Sequence, residues 1–299
     1  MEGNESLIEK VKGLVRKARL PKFLNHFGPR KHPFWQFALA QEVQTTYCHA
    51  WRRTAKFMKE FYGIVLHWTA WQKAIEKWPF WVWQALGQAS AGEEQCVLAA
   101  LDGTTFSRSN PSEHYLHRID RDGSVGRPVQ GVVMVDVVRR KFLAWRIRAV
   151  PKGEKRDVPY LIRMSPSLPG CVLMDKGFDS NPLHTWFHEH GIWSVAPVRK
   201  GCKRGQFRRR LRDNFDWPLY RQRNIVEALF SAVKRLFGTH VRARTWKTQY
   251  AELSARMIAY NIRAILSRDF LLSLFTIKKR KKKRNKAYTQ WPGPITPLL

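Results

Sequence analysis

The sequence predicts an α/β fold in which a mixed sheet with helices on its faces follows an all-α N-terminal region. Residues 34–86 carry apolar side chains every three or four positions, the spacing of amphipathic helices. Two short apolar runs, 96–101 and 171–174, are each followed by an aspartate and read as buried strands. Between them, residues 129–138 and 141–150 have the β-rich composition of a hairpin.

The composition indicates a polyanionic partner. A length of 299 residues with 44% hydrophobic content suffices for a large core. The 54 Lys and Arg residues against 23 Asp and Glu residues give a net charge of +31, which is self-repulsive unless a polyanion neutralises it. We therefore expect a nucleic acid as the partner, with an anionic membrane surface as the second possibility. The four cysteines form no close pair, which favours reduced thiols over a disulfide framework or a zinc module.

The apolar runs are too short for a membrane protein. None approaches the roughly 20 residues that a membrane-spanning helix needs, and the charged N-terminus does not resemble a signal peptide. We expect a cytoplasmic, nucleoid-associated protein with no membrane partner.

The N-terminal region, residues 1–92, is predicted to be helical. After a basic leader, one amphipathic helix is expected from residue 34 to a stop at Gly63, and a second helical stretch is interrupted at Pro79. Tryptophans alternate with cations here, a pattern that suits both core packing and stacking on bases. A role in DNA binding is therefore one of two open interpretations.

A second region, of mixed α/β structure, is predicted at residues 93–275. After the hairpin, the chain offers a short helix with Asp157 as its N-cap, the strand at 171–174, a helix at 181–190 and a strand at 192–198. Strands and helices in this order suit a mixed sheet covered by helices.

Positive charge is concentrated late in the chain. Residues 199–248 contain 15 Lys and Arg residues and only 3 Asp and Glu residues. A cationic loop is expected at 199–217, with Arg208, Arg209 and Arg210 as candidate DNA contacts. Residues 276–299 read as a basic, disordered tail that binds nucleic acid nonspecifically.

Residues 220–234 are predicted to form one helix that carries a single carboxylate among cations. Arg223, Glu227 and Lys234 fall on or near one side of it. An exposed helix with ordinary Arg/Glu pairing would show the same spacing.

The spacing of Tyr220, Arg223, Glu227 and Lys234 resembles the signature of DDE transposases of prokaryotic insertion sequences. The blocks Leu101-Asp102-Gly-Thr-Thr and Leu173-Met-Asp175-Lys-Gly-Phe-Asp-Ser-Asn are similar to the family's other two motifs. The resemblance covers residues 96–266 and implies a ribonuclease-H-like core. It also implies that Tyr220, Arg223 and Lys234 contact transposon-end DNA near the scissile phosphate.

The same resemblance implies a metal-dependent mechanism. Asp102, Asp175 and Glu227 would hold two Mg²⁺ ions, with Mn²⁺ as a substitute, because hard cations take carboxylate oxygens. The enzyme would cut transposon ends with activated water and then join the freed 3′-hydroxyl to target DNA, as a homodimer in a paired-end complex. A β-rich insertion that some relatives carry before the glutamate helix is absent, since only about 20 residues separate Val198 from Trp217.

The sequence also fits other assignments. Asp136 and Asp179 are rival carboxylates, interpreted as a structural residue and a helix cap, and His184 with His188 could suggest zinc. A nuclease with the same core that never joins strands, or a noncatalytic DNA-binding protein derived from a transposase, would share these patterns.

Overall fold

A computed structural model of the chain describes residues 2–23, 30–108, 128–149, 153–201 and 204–263, with side chains from residue 7 onward. The chain divides into compact units at 1–261 and 262–299, and the fold given below is that of the first. No helix within the described residues is long and apolar enough to cross a membrane. The predicted tail, 276–299, lies outside those residues, and the domain boundaries at 92 and 275 stay predictions.

The N-terminal region is helical, as predicted. Its described residues form five helices, namely α1 (Glu2–Lys17), α2 (Phe34–Thr46), α3 (Trp51–Tyr62), α4 (Trp68–Glu76) and α5 (Phe80–Ala91). Helix α3 ends at Gly63, which takes a left-handed φ of 66°. Helix α5 begins directly after Pro79, as the predicted interruption requires.

The expectation of one helix from residue 34 to Gly63 is wrong, because the chain turns between α2 and α3. Cys48 adopts a left-handed φ of 51°, and its thiol lies 3.8 Å from the carbonyl oxygen of Leu236. Contact with a distant part of the chain therefore overrides a helical periodicity that continues through the turn.

Burial of the tryptophans supports core packing in this region. Trp71 and Trp83 are fully buried, and Trp78 packs against Phe34 with ring centroids 4.7 Å apart. Trp81, one residue from the start of α5, is 51% exposed. Most of this aromatic content therefore holds the helices together.

A mixed sheet forms the centre of the molecule, confirming the predicted fold class. The strands are β1 (Leu98–Arg108), β2 (Val129–Asp136), β3 (Lys141–Arg148), β4 (Cys171–Met174), β5 (Trp193–Val195) and β6 (His240–Val241). The order across the sheet is β3-β2-β1-β4-β5, with β6 paired to β1. The first three strands are antiparallel neighbours, whereas β4, β5 and β6 run parallel to their partners. This order is that of a ribonuclease-H-like sheet.

Helices cover both faces of the sheet. They are α6 (Val158–Met164), α7 (Asn181–Glu189), α8 (Gln206–Asp213), α9 (Trp217–Arg221), α10 (Asn224–Phe237) and a last helix, α11, at 246–263. The sequence also predicts an amphipathic helix at 250–274, and its part beyond residue 263 lies outside the described residues.

Two of the predicted elements need correction. The stretch 199–217 is not wholly a loop, since it contains α8. The single helix expected at 220–234 is interrupted near Gln222 and Arg223, so that α9 ends before α10 begins.

Alternation along β1 divides its side chains between the two faces. Ala99 and Leu101 pack with α6 and α7 in the main hydrophobic core. Asp102, Thr104 and Phe106 point to the opposite face, where Lys234 of α10 contacts Thr104 and Phe106. The helix with the candidate glutamate is thereby placed along the candidate aspartate.

A buried acid in α2 predicts a pH dependence of stability. Burial raises the pKa of Glu42 from 4.5 to about 7, against a weaker opposing hydrogen bond from Thr46. The folded state therefore holds a proton that the unfolded state releases, and stability falls as the pH rises from 4.5 through about 7. The loss is on the order of 3 kcal/mol. We expect Glu42→Gln to remove this slope in urea unfolding series between pH 4.5 and 8; an unchanged slope would contradict the assignment.

Candidate active site

Two of the predicted acids lie side by side at the centre of the sheet. The parallel pairing of β1 and β4 ends with Leu101 opposite Met174, so Asp102 and Asp175 occupy the next positions of adjacent strands. The sequence predicts Asp102 at the end of its strand, whereas the structure places it inside β1. The partner strand β4 stops at Met174 and β6 pairs with β1 only from Ser107, so no described strand pairs with residues 102–106 of β1 on that side. This gap in the sheet is called the cleft below.

Arg223 joins the third acid to the first. Its Nη1 donates to Asp102 Oδ2 at 2.9 Å and its Nη2 donates to Glu227 Oε1 at 2.6 Å. The side chain of Glu227 is 58% exposed, whereas that of Arg223 is only 13% exposed. The guanidinium therefore bridges two carboxylates that lie 125 positions apart in sequence.

Local geometry explains how Arg223 reaches Asp102. Asp216 caps α9 by accepting a hydrogen bond from Leu219 N at 2.8 Å. The short helix then ends at Arg221, and Arg223 sits at the N-cap position of α10 without a capping side-chain bond. The break thus turns the Arg223 side chain towards the sheet.

Tyr220 and Lys234 flank this bridge. Tyr220 packs edge-on against Phe215 and Trp217, and burial raises the pKa of its hydroxyl. Lys234 Nζ donates to Thr104 Oγ1 at 2.9 Å and lies 5.3 Å from the centroid of Phe106. Burial lowers the Lys234 pKa. All four residues of the predicted signature therefore face one stretch of β1 or lie beside it.

Burial dominates the electrostatics of Asp102. Desolvation raises its pKa, while a hydrogen bond from Gly103 N at 2.8 Å and the Arg223 cation act in the opposite direction. The nearby Asp175 carboxylate raises it further. A cation placed here would stabilise the ionised form of Asp102.

The donor chemistry fits a hard divalent cation. Asp102, Asp175 and Glu227 supply only carboxylate oxygens, the ligands that Mg²⁺ prefers. The guanidinium of Arg223 already bridges Asp102 and Glu227. Among the described residues, no three acidic, histidine or cysteine side chains are close enough to hold a metal ion as they stand. Arg223 occupies the space between Asp102 and Glu227.

The sequence reasoning missed a fourth carboxylate. Glu154 lies against the backbone of Gly103, where a Cβ atom would collide with it, and its Oε1 accepts a hydrogen bond from Gln130 at 3.1 Å. Burial raises the Glu154 pKa, and the charges of Asp102 and Asp175 raise it further. No motif marks Glu154, because its contacts are with Gly103 and Gln130, which lie far from it in the sequence.

The candidate DNA-contacting arginines of α8 divide into two kinds. Arg209 and Arg210 are exposed, whereas the Nε of Arg208 donates to Asp179 Oδ1 at 2.8 Å. Asp179 also accepts from Arg199 N at 3.0 Å and is only 1% exposed.

The prediction that Asp179 caps α7 is therefore wrong, because its side chain accepts hydrogen bonds from Arg199 and Arg208 instead. Asp179 holds α8, and the segment between β5 and α8, close to the residues that follow Asp175. The Gly177 carbonyl among these residues accepts a hydrogen bond from Arg199 Nη2 at 2.9 Å. The hydrogen bonds to Asp179 hold its pKa below the ordinary value even though burial opposes them.

A change at Asp179 should destabilise this arrangement. We expect Asp179→Asn to lower the free energy of unfolding by about 2 kcal/mol, because the bonds to Arg208 and Arg199 lose their charged acceptor. The low folded pKa makes this contribution present above the unfolded pKa and lost as the pH falls through the folded value. Urea unfolding at pH 7 and at pH 3 tests this, and equal losses at both pH values would contradict it. Asp213→Asn, at an exposed site on α8, is the matched control.

The rival ligands have structural partners. Asp136 is 2% exposed and accepts hydrogen bonds from the backbone and side chain of Arg139, which fits the structural interpretation. His184 is buried between Ser194, at 2.8 Å, and Asp179. Neither position faces the cleft at Asp102.

A family model and a solved structure are similar to this chain. No curated protein matches the chain. A solved structure, the piggyBac transposase synaptic complex with hairpin DNA, is similar at 11% identity with a TM-score of 0.46, covering 88% of this chain and 72% of that chain. The family model of the transposase DDE domain matches residues 97–262, more than half of the 299 residues. The chain belongs to the transposase DDE domain family.

Proposed function

We propose that the protein is a DNA transposase of a prokaryotic insertion sequence that cleaves transposon ends and joins them to target DNA. The observation that carries this proposal is the meeting of Asp102, Asp175 and the Arg223–Glu227 pair at one cleft of the sheet. Membership of the DDE family supports the same reaction class.

The charge distribution supports double-stranded DNA as the substrate. Glu227 lies in the segment 199–248, where 15 Lys and Arg residues outnumber 3 Asp and Glu residues. Exposed Arg209 and Arg210 supply a positive surface on α8, and contacts of this kind position phosphates without reading sequence. Arg208 would act with them, supporting α8 from its pairing with Asp179.

The chain's own residues have separable roles in this reaction. Asp102 and Asp175 hold fixed positions on the sheet, and Glu227 approaches them from α10, so that together they would hold two Mg²⁺ ions or, as a substitute, Mn²⁺. Such ions activate an attacking oxygen and stabilise the leaving oxygen of a phosphodiester. Arg223 and Lys234 would exchange their present acceptors for phosphate oxygens, and Tyr220 would pack against the DNA backbone. Two copies of the chain would pair the two ends.

The proposal is tested with the full chain and the DNA that flanks its reading frame. We expect magnesium-dependent cuts at the boundaries of inverted repeats, followed by covalent joining of the freed 3′ ends to a supercoiled plasmid. Cutting without joining would instead identify a nuclease, and binding without cutting in either Mg²⁺ or Mn²⁺ would identify a noncatalytic DNA-binding protein. Either result would contradict the proposal.

A further inference from the structure

Glu154 brings a carboxylate to the face of β1 opposite Asp102. It begins a short 3₁₀ helix, Glu154–Asp157, that leads into α6. A Cβ atom on Gly103 would collide with its Oε1, so the carboxylate fills the space that the missing side chain leaves. Because side chains alternate along a strand, this space lies on the side of the sheet opposite Asp102. The two carboxylates are therefore separated by the thickness of β1, at the start of the cleft.

Two anchors fix the 3₁₀ helix in this position. Asp157, which is 1% exposed, accepts a hydrogen bond from Arg148 Nε on β3 at 2.8 Å. Lys155 Nζ donates to the carbonyl oxygen of Asp179 at 2.8 Å, in the segment that follows β4. The turn that carries Glu154 is thus tied to the sheet at one end of the helix and to the segment after β4 at the other.

The contacts of Glu154 do not explain its negative charge. Its Oε1 accepts a hydrogen bond from Gln130 Nε2 at 3.1 Å, which the carbonyl oxygen of a glutamine could accept as well. The charges of Asp102, Asp175 and Asp157 all oppose its ionisation. An acid among acids destabilises the fold by like-charge repulsion unless a cation is present. The arrangement therefore suits the binding of a cation better than it suits stability.

Water extends the reach of this carboxylate. Among the described residues no three acidic, histidine or cysteine side chains stand close enough to hold a metal ion, so Glu154 does not complete a set of direct ligands. Mg²⁺ keeps several waters at about 2 Å when carboxylates bind it, and a hydrogen bond from such a water adds about 2.8 Å. A carboxylate about 5 Å from the ion is therefore still within reach. Arg223 pairs with Asp102 and Glu227 but not with Glu154, so it does not compete for this contact.

We propose that Glu154 is a positioning residue for the metal site, where it accepts hydrogen bonds from the water around a cation held by Asp102 and Asp175. The inference rests on the proposed function for the identity of that site, but it concerns cation binding and not cleavage. Glu154 adds negative charge from the side of β1 that faces α6, whereas Glu227 adds it from α10. Removing the Glu154 charge should weaken cation binding even in the absence of DNA.

The affinity for Mn²⁺ without DNA tests this role, measured by electron paramagnetic resonance of free Mn²⁺. We expect Glu154→Gln to weaken Mn²⁺ binding about tenfold, an effect typical of residues that orient metal ligands. Glu189→Gln is the matched control, since it makes the same charge change at an exposed position on α7 and should leave the affinity unaltered. An unchanged affinity in Glu154→Gln would overturn the proposal.

Gly103→Ala is a second variant, which leaves the charge of the chain unchanged. The added Cβ atom must displace the Glu154 carboxylate, and the backbone at Gly103 does not have a left-handed φ that alanine would disfavour. We expect Gly103→Ala to reproduce the loss of Mn²⁺ affinity and to cause no further loss in the Glu154→Gln background. Additive losses would mean that the two residues act independently, and would overturn the proposal.

Thermal unfolding separates this role from a structural one. In EDTA we expect Glu154→Gln to unfold at the temperature of the wild type or above it, because like-charge repulsion is relieved. A lower unfolding temperature would identify a structural residue and overturn the proposal.

Cleavage of end DNA separates this inference from the proposed function. The Mg²⁺ concentration that gives half-maximal cleavage should rise about tenfold in Glu154→Gln. If the wild type never cuts DNA but its Mn²⁺ binding depends on Glu154, the proposed function fails and this inference stands. If the wild type cuts DNA, and Glu154→Gln binds Mn²⁺ and cuts DNA as the wild type does, only this inference fails.

Discussion

Asp175→Asn is expected to abolish DNA cleavage while leaving DNA binding almost unchanged. Loss of one carboxylate weakens the charge stabilisation of a metal-dependent reaction by several kcal/mol, which corresponds to a rate reduction of roughly a thousandfold or more. The fold should tolerate the change, because an asparagine oxygen can still accept the hydrogen bond from Gly177 N, at 3.3 Å in the structure. Binding should be equal or slightly tighter, since the variant removes a negative charge from a DNA-binding surface.

Cleavage of labelled end DNA and an electrophoretic binding assay measure the two effects separately. Asp213→Asn removes the same charge from an exposed position on α8 and should leave cleavage within about twofold of the wild type. A Asp175→Asn variant that still cuts DNA would refute the assignment of this residue. If DNA binding is lost together with cleavage, Asp175 is needed for the folded structure and not only for the reaction.

Arg223→Gln is expected to change metal binding and DNA cleavage in opposite directions. The guanidinium now neutralises Asp102 and Glu227. Removing it leaves two acids without their counter-ion, so Mn²⁺ affinity in the absence of DNA should rise on the order of tenfold. Cleavage should fall by about a hundredfold to a thousandfold, because the proposed donor to the reacting phosphate is lost.

Electron paramagnetic resonance of free Mn²⁺ measures the first effect and cleavage of end DNA the second. Arg221→Gln provides the control, since Arg221 is exposed on the neighbouring turn and the charge change is the same. That variant should leave Mn²⁺ affinity unaltered. If Mn²⁺ affinity falls in Arg223→Gln, the arginine does not compete with a cation for these carboxylates.

Parts of this site can be predicted from the sequence because their determinants are local. The apolar run 171–174 forms β4 and delivers Asp175 to the edge of the cleft. Hydrophobic periodicity also identifies α10, which buries Leu229 and Val233. Both signals depend on neighbouring residues alone.

Other features depend on contacts between distant residues and could not be predicted in this way. The interruption before α10 turns Arg223 towards Asp102, 121 positions away. The α2–α3 turn places Cys48 against Leu236, 188 positions away. Asp179 has the local pattern of a cap, but its partner is Arg208, 29 positions further on. Helical periodicity and capping rules contain none of this information.

The central claim, that Asp102, Asp175 and Glu227 hold the same metal ions, is tested most directly by Fe²⁺-mediated cleavage of the polypeptide. Fe²⁺ bound in place of Mg²⁺ reduces added hydrogen peroxide to hydroxide and a hydroxyl radical, with ascorbate returning the iron to Fe²⁺. The radicals cut the backbone beside the metal, and mass spectrometry maps the cuts. With end DNA bound, we predict cuts in β1 near Asp102, after β4 near Asp175 and in the first turn of α10 near Glu227, all suppressed by excess Mg²⁺. Cuts that omit the segment around Glu227, or that Mg²⁺ does not suppress, would contradict the account.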